Sequence, residues 1–225
     1  MIFNIDRVVQ DVRVCMDQNR LIEPLFESGD MDTLMLDDVI RSKIIEAVER
    51  VHMMAPYYLL EQGHNFGCVK EEGEEPSCAL HWEEKECGWV ELPEDFMRLV
   101  VFEMSDWERP VYDVISPSDA LYKKQRGRIK ALRGTSQRPV CAMVKRSIGN
   151  VLEFYSCKTN DATISQAVYV PYPKIEHEGD ATGIDISERC YTAVIYTAAA
   201  LTLISCEETE KGTTLLEISK SYLEK

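Results

Sequence analysis

No part of this 225-residue chain is apolar for long enough to cross a bilayer comfortably. The longest apolar stretch, Tyr191 to Ser205, is interrupted by Thr192, Thr197 and Thr202. A basic n-region leading into an apolar h-region is missing too, because Met1–Asn19 already carries charges at helical spacing, so a soluble, unsecreted protein is expected. There is no G-x-S-x-G elbow, no P-loop, no glycine-rich dinucleotide fingerprint, no internal repeat and no low-complexity tail. These absences point away from the commoner enzyme classes, and neither catalysis nor a cofactor is expected. What is present is ordinary for a globular chain: 45 % hydrophobic and 28 % charged residues in 25.8 kDa. A chain of this size hides roughly 70 % or more of its unfolded surface, so it folds without metal or disulfide staples.

Eight cysteines are scattered at positions 15, 68, 78, 87, 141, 157, 190 and 206, and without an export signal they are expected to be reduced. Cys15, Cys190 and Cys206 fall on apolar helical faces, where cysteine acts as a small hydrophobe. The metal question centres on His64, Cys68, Cys78, His81 and Cys87. Cys78-x-x-His81 has ligand-like spacing, but paired C-x-x-C knuckles are missing and the other gaps match no zinc module. In a strand, Cys78 and His81 point to opposite faces. No metal is expected, and zinc binding by Cys68, Cys78, His81 and Cys87 stays open. His52, on a helix, reads as a surface or interface residue.

Net charge is −14, unevenly spread. From Lys123 to Arg146 there are nine bases and no acid, with Lys123, Lys124, Arg126, Arg128, Lys130 and Arg133 in its first half. Between Glu61 and Asp95 eleven acids face only Lys70 and Lys85. Such polarity suits head-to-tail contact between identical subunits, and equally describes two solvated loops. No aromatic residue lies between Tyr122 and Phe154, so the basic stretch offers no base-stacking platform, and nucleic-acid reading is a minority alternative.

Periodicity divides the chain. Ile5, Val8, Val9, Val12, Cys15 and Met16 form an amphipathic helical stripe that Asn4 can cap. A second helix carries Leu36, Ile40, Ile44, Ala47, Val48 and Val51 on one face, with Asp37 and Asp38 in its first turn, and ends near Pro56. From Gly63 helical spacing disappears. Ser77–Trp82, Gly88–Leu92, Pro110–Ile115, Pro139–Lys145, Val151–Ser156 and Ile164–Val170 read as strands. Phe96–Met104 fits strand or helix, and Ser118–Gln125 a short helix. Asp185 with Glu188 resembles a capping box opening a helix over Cys190–Cys206; Gly212 is expected to break the chain, and Thr214 with Glu217 to open a last helix. Two helices, five or six strands and two helices give an α+β fold. Its N- and C-terminal helices, 1–62 and 184–225, form one bundle, and 63–183 is an inserted antiparallel β module.

The string Leu92-Pro93-Glu94-Asp95-Phe96-Met97-Arg98-Leu99 follows a short strand. Physically, Pro93 stops a ladder, Asp95 can accept from turn amides, Phe96 and Leu99 anchor the next segment, and Arg98 can pair with a carboxylate. With Ile44, Ala47, Val51 and Pro56 before it, Trp107-x-x-Pro110 and Val151–Tyr155 after it, and an ending Ala198-Ala199-Ala200-Leu201…Tyr222-Leu223, the L-P-x-D-F-x-R string resembles the head–tail connector (adaptor, or neck) proteins of tailed bacteriophages. The resemblance covers most of the chain in order of elements, and about ten residues are specific. It marks Leu92, Pro93, Asp95, Phe96 and Arg98 as family positions, diagnostic and not catalytic. It implies a virion protein, made in the host cytoplasm, that assembles as a ring between portal and tail proteins. Packaged DNA would pass without specific recognition, and no membrane would be involved. In that reading Lys123–Arg146 is a subunit or partner surface and Ser219–Lys225 a docking arm. A non-catalytic bacterial interaction module and a zinc-dependent protein are the alternatives.

Overall fold

A computed structural model describes residues 1–16, 36–60, 63–66, 80–83, 86–127, 129–178 and 181–224. The chain is mixed α+β with antiparallel sheets and with helices at both ends. It divides into two compact units, 1–62 with 172–225, and 63–171.

In the first unit, strand β1 (Ile2–Asn4) runs into helix α1 (Ile5–Cys15), and helix α2 (Leu36–Met54) follows. The Asn4 side chain caps α1 by accepting from the amide of Asp6 at 2.8 Å. Asp37 in the first turn of α2 takes the Arg13 guanidinium at 2.5 Å. The chain returns through β9 (Ile175–Glu178), β10 (Ala181–Asp185), α4 (Tyr191–Ser205) and α5 (Thr209–Leu223). Helix α4 packs against α1, α2 and α5 together. That position explains the long apolar stretch: α4 is buried on nearly every side, as the core helix of its unit. Among the described residues no helix is long and apolar enough to cross a membrane.

Several expectations need correction. Residues 172–183 belong to the helical unit, so the boundary falls after Pro171 and not after 183. The cause is a three-stranded sheet in the order β1-β10-β9, in which Phe3 faces Ile184 across an antiparallel ladder. Asp185 ends β10 and does not cap α4; Ser187 precedes the 3-10 turn there without a side-chain cap bond. Gly212 lies inside α5. A Cβ there would stand 2.6 Å from Ile204 Cγ1 and 2.9 Å from the Ala200 carbonyl oxygen, so glycine lets α5 close on α4. Thr214 consequently sits mid-helix, donating to the Glu210 carbonyl at 3.0 Å. Ser219 and Leu223 are buried, which excludes a free arm beginning at Ser219. The Ser219 hydroxyl instead shares a 2.7 Å hydrogen bond with Thr197 and reaches the Ala193 carbonyl at 2.8 Å.

The second unit holds two sheets around one core. β2 (His64–Asn65), β8 (Ile164–Pro171) and β5 (Phe96–Met104) form one, in the order β2-β8-β5. β3 (Leu80–Glu83), β4 (Cys87–Glu91), β7 (Gly149–Tyr155) and β6 (Val140–Arg146) form the other, in the order β3-β4-β7-β6. The ambiguous Phe96–Met104 segment is a strand, with Phe102 and Met104 fully buried. Pro110–Ile115 makes only isolated bridges, Val111 to Phe102 and Ile115 to Ala142, and is no regular strand. The first half of the Ser77–Trp82 expectation lies outside the described residues. Short helix α3 (Ala120–Gln125) is capped by Asp119, whose carboxylate accepts from the Leu121 amide at 2.8 Å.

Candidate functional site

The β7 strand carries one acid among apolar neighbours, Val151-Leu152-Glu153-Phe154-Tyr155. Leu152 and Phe154 enter the core shared by the two sheets, so strand alternation turns Glu153 to the other face. That face is covered as well, and Glu153 is only 2 % exposed. Its Oε1 accepts from Arg126 at 2.8 Å and from Arg146 at 2.6 Å, while Oε2 accepts from Tyr122 at 3.1 Å and from Tyr155. Arg146 also donates to Glu83 at 2.6 Å, so carboxylates and guanidiniums alternate along the cluster. Burial by itself would raise the Glu153 carboxyl. The Tyr155 hydroxyl and the two guanidiniums outweigh it and hold the group below its ordinary value. Burial and the Glu153 carboxylate together push the Tyr155 phenol far up. The Arg146 guanidinium lies 4.8 Å over the Trp89 ring, and His81 stacks on Trp89 at 3.8 Å.

This cluster fixes the basic stretch in place. Tyr122, Gln125 and Arg126 form the inner face of α3 at spacings of three and four, and Gln125 is buried, its side-chain oxygen accepting from the Gly134 amide at 2.8 Å. Arg133 donates from Nε to the Gly127 carbonyl at 2.9 Å. The stretch is therefore neither a solvated loop nor a uniform charged surface. Lys123 and Lys124 are exposed, Arg126 and Arg133 are turned on their own unit, Arg128 lies outside the described residues, and so does the side chain of Lys130. Sequence reasoning overlooked Glu153. The available signal was a lone acid in a strand whose other four residues are apolar or aromatic.

The connector-like string forms the junction between β4 and β5. Leu92 is half-buried against the core and its amide donates to Asn150 at 3.1 Å; the Phe96 amide closes the turn on the Pro93 carbonyl at 3.1 Å. Asp95 accepts from the Tyr169 hydroxyl at 2.8 Å. Phe96 stacks on the same tyrosine ring at 5.5 Å, and Leu99 is buried. Burial and the Asp95 carboxylate push Tyr169 up to about 12. Arg98 stands half-buried on β5, in register with Val170.

Cys68 and Cys78 lie outside the described residues, and among the described residues no three His, Cys, Asp or Glu side chains gather as metal ligands. Burial pushes the Cys141 and Cys157 thiols up, which keeps both protonated near neutral pH. His52 is not on the surface: it is 8 % exposed, and its Nε2 accepts from the Ser187 amide at 3.4 Å. A cleft of about 970 Å³ opens beside the Glu153 cluster, with Arg126, Arg133, Lys158, Glu83 and Glu86 in its walls. Its cations are already engaged, Lys158 lying 3.6 Å from Glu108, so the cleft works as the outer edge of the cluster.

A scan against protein-family models finds no match, and a search of curated proteins finds none either. The functional reading rests on the residues themselves.

Proposed function

We propose that this chain is a phage or prophage virion protein, a head–tail connector that forms a ring on the portal, meets the tail, and surrounds the path of packaged DNA. The observation that carries this reading is the Leu92–Leu99 string at the β4–β5 junction. Its Asp95 and Phe96 are both fastened to Tyr169, so the motif positions do structural work of the kind an assembly protein needs. The helical unit that joins both ends of the chain, and a net charge of −14 that disfavours sticking to DNA, support it further. Binding energy between subunits and toward portal and tail proteins is the whole of the activity, with no chemical step.

The test is co-expression with the portal protein of the same genome, followed by negative-stain imaging and sedimentation. The expected result is a ring of this chain seated on the portal, with a central channel. A chain that stays monomeric at high concentration and does not bind the portal overturns the proposal.

A further inference from the structure

Of the nine bases between Lys123 and Arg146, the seven whose side chains are described fall into two sets. Arg126 and Arg146 are spent on Glu153, and Arg133 on the Gly127 carbonyl. Lys123, Lys124, Arg138 and Lys145 are exposed and enter no ion pair among the described residues. Close to the two lysines in sequence are three large apolar side chains that solvent reaches: Leu121 at 44 %, Ile129 at 63 % and Leu132 at 51 % exposure. The inner face of α3 is tied down through Tyr122, Gln125 and Arg126, which leaves Leu121 and Lys124, three residues apart, on the outer face. These side chains offer apolar area flanked by cations, and α3 is held on its inner face, so docking costs that helix little further ordering.

Its complement exists on the same chain. Where α4 turns into α5, Ile204 is 37 % exposed, and Glu207, Glu208 and Glu210, which follow it in sequence, are exposed too. Among the described residues only Glu208 of these has a basic partner, Lys211 at 2.5 Å. On α1 and α2, Asp6 pairs with Arg41, Asp37 with Arg13 and Glu46 with Arg50. At the corner the Glu208 amide donates to the Leu203 carbonyl at 2.9 Å around Glu207, which holds a left-handed φ of 66°. One surface presents apolar groups among lysines, the other an apolar group among glutamates.

We propose that a ridge formed by the exposed Leu121, Lys123, Lys124, Ile129 and Leu132 side chains docks onto the α4–α5 corner of a second copy of this chain. The contact is heterologous, each copy giving a ridge to one neighbour and a corner to the other, which is the arrangement that closes into rings. It rests on the connector reading and names the self-contact within it. Leu121, Ile129 and Leu132 supply the buried area, and the charges set register and encounter rate.

Charge reversal tests it. Lys123→Glu with Lys124→Glu makes one variant, and Glu208→Lys with Glu210→Lys the other; circular dichroism melting confirms that both fold. Each alone is expected to self-associate at least tenfold more weakly than wild type in sedimentation velocity, while an equimolar mixture regains wild-type association, because every ridge then finds a corner of opposite sign. Leu121→Ala with Leu132→Ala, at exposed sites that do not threaten folding, is expected to weaken assembly by a similar factor without rescue by mixing. If wild type forms rings and the charge variants do so equally well, or mixing restores nothing, the docking assignment is wrong and the connector reading stands. If wild type never associates, with or without the portal, both fall.

Discussion

The two units solve the same burial problem with opposite materials. The fully packed core of the helical unit is built from Val8, Val12, Ala47, Val48, Ala193, Ala198, Ala199 and their like, with no aromatic ring in that cluster among the described buried residues. The core of the β unit is crowded with rings, among them Phe66, Phe96, Phe102, Phe154, Trp107 and Tyr169. Helices can approach as closely as their side chains allow, so small residues draw α4 and α5 together and tighten every contact. Packed sheets stand about 10 Å apart whatever their sequence, and only long side chains fill that gap. One unit is therefore vulnerable to added atoms and the other to removed ones.

The largest effect expected from this contrast is in the β unit. Phe102 is fully buried, stacks with Phe66 at 6.0 Å, and meets the Trp107 ring edge-on at 5.8 Å. Phe102→Ala leaves a cavity that fixed sheet spacing cannot close, and should cost about 3–5 kcal/mol. Denaturant midpoints followed by near-ultraviolet dichroism, which reports the aromatic core, would measure it. A loss below about 1 kcal/mol would mean that the two sheets can collapse on one another, and the contrast would fail.

A smaller effect tests the buried carboxylate of the β unit. Glu153→Gln keeps the shape of the side chain and removes the charge that Arg126 and Arg146 share. Breaking a deeply buried pair costs about 3–5 kcal/mol; since the Arg126 side chain is 50 % exposed and can recover water, about 2 kcal/mol is the expected loss near neutral pH. The pH dependence has a definite sign. The folded-state pKa of Glu153 is depressed, so its stabilisation is complete above the unfolded value near ~4.3 and is lost as pH falls through the folded value. The gap between wild type and variant should hold steady down to about pH 5 and shrink below it. A gap that widens on acidification contradicts the cluster.

Glu153 also shows what a sequence reveals and what it hides. The long elements are legible because burial imposes a period: the stripe Ile5-Val8-Val9-Val12 and the face Leu36-Ile40-Ile44-Ala47 admit few readings other than helix. The terminal helices could accordingly be assigned to one body. Short elements leave no such trace. β1, β9 and β10 span only three to five residues each, too few for alternation to register, and their pairing joins Ile2 to Asp185 across almost the whole chain. The Glu153 cluster is hidden for the same reason, since Arg126 is distant in sequence and Arg146 meets it only because β6 and β7 form a hairpin. The basic stretch was visible as charge, but which bases turn inward depends on that hairpin. Asp95 was recognisable as a turn residue, whereas Tyr169, its partner, comes from β8.

The smallest effect is the most discriminating, because two ordinary considerations disagree about its sign. Gly212 was legible only as a helix breaker, yet it lies within the first turns of α5. By helix propensity alone, Gly212→Ala should stabilise the protein by about 1 kcal/mol. By packing, the added methyl must displace Ile204 and press on the Ala200 carbonyl, which is backbone and cannot step aside; overpacking of this kind costs about 1–3 kcal/mol. The second term is the larger, and the expected outcome is a net loss of about 1 kcal/mol, read as a lowered midpoint in helix-detected urea unfolding. Ile204 carries the key to the balance. Combining Gly212→Ala with Ile204→Ala vacates the space the methyl needs, so the pair should be less destabilised than the sum of the single changes, a coupling that double-mutant cycles resolve. A stabilised Gly212→Ala would show that α4 and α5 are free to separate, and the helical unit would then not be the one limited by added atoms.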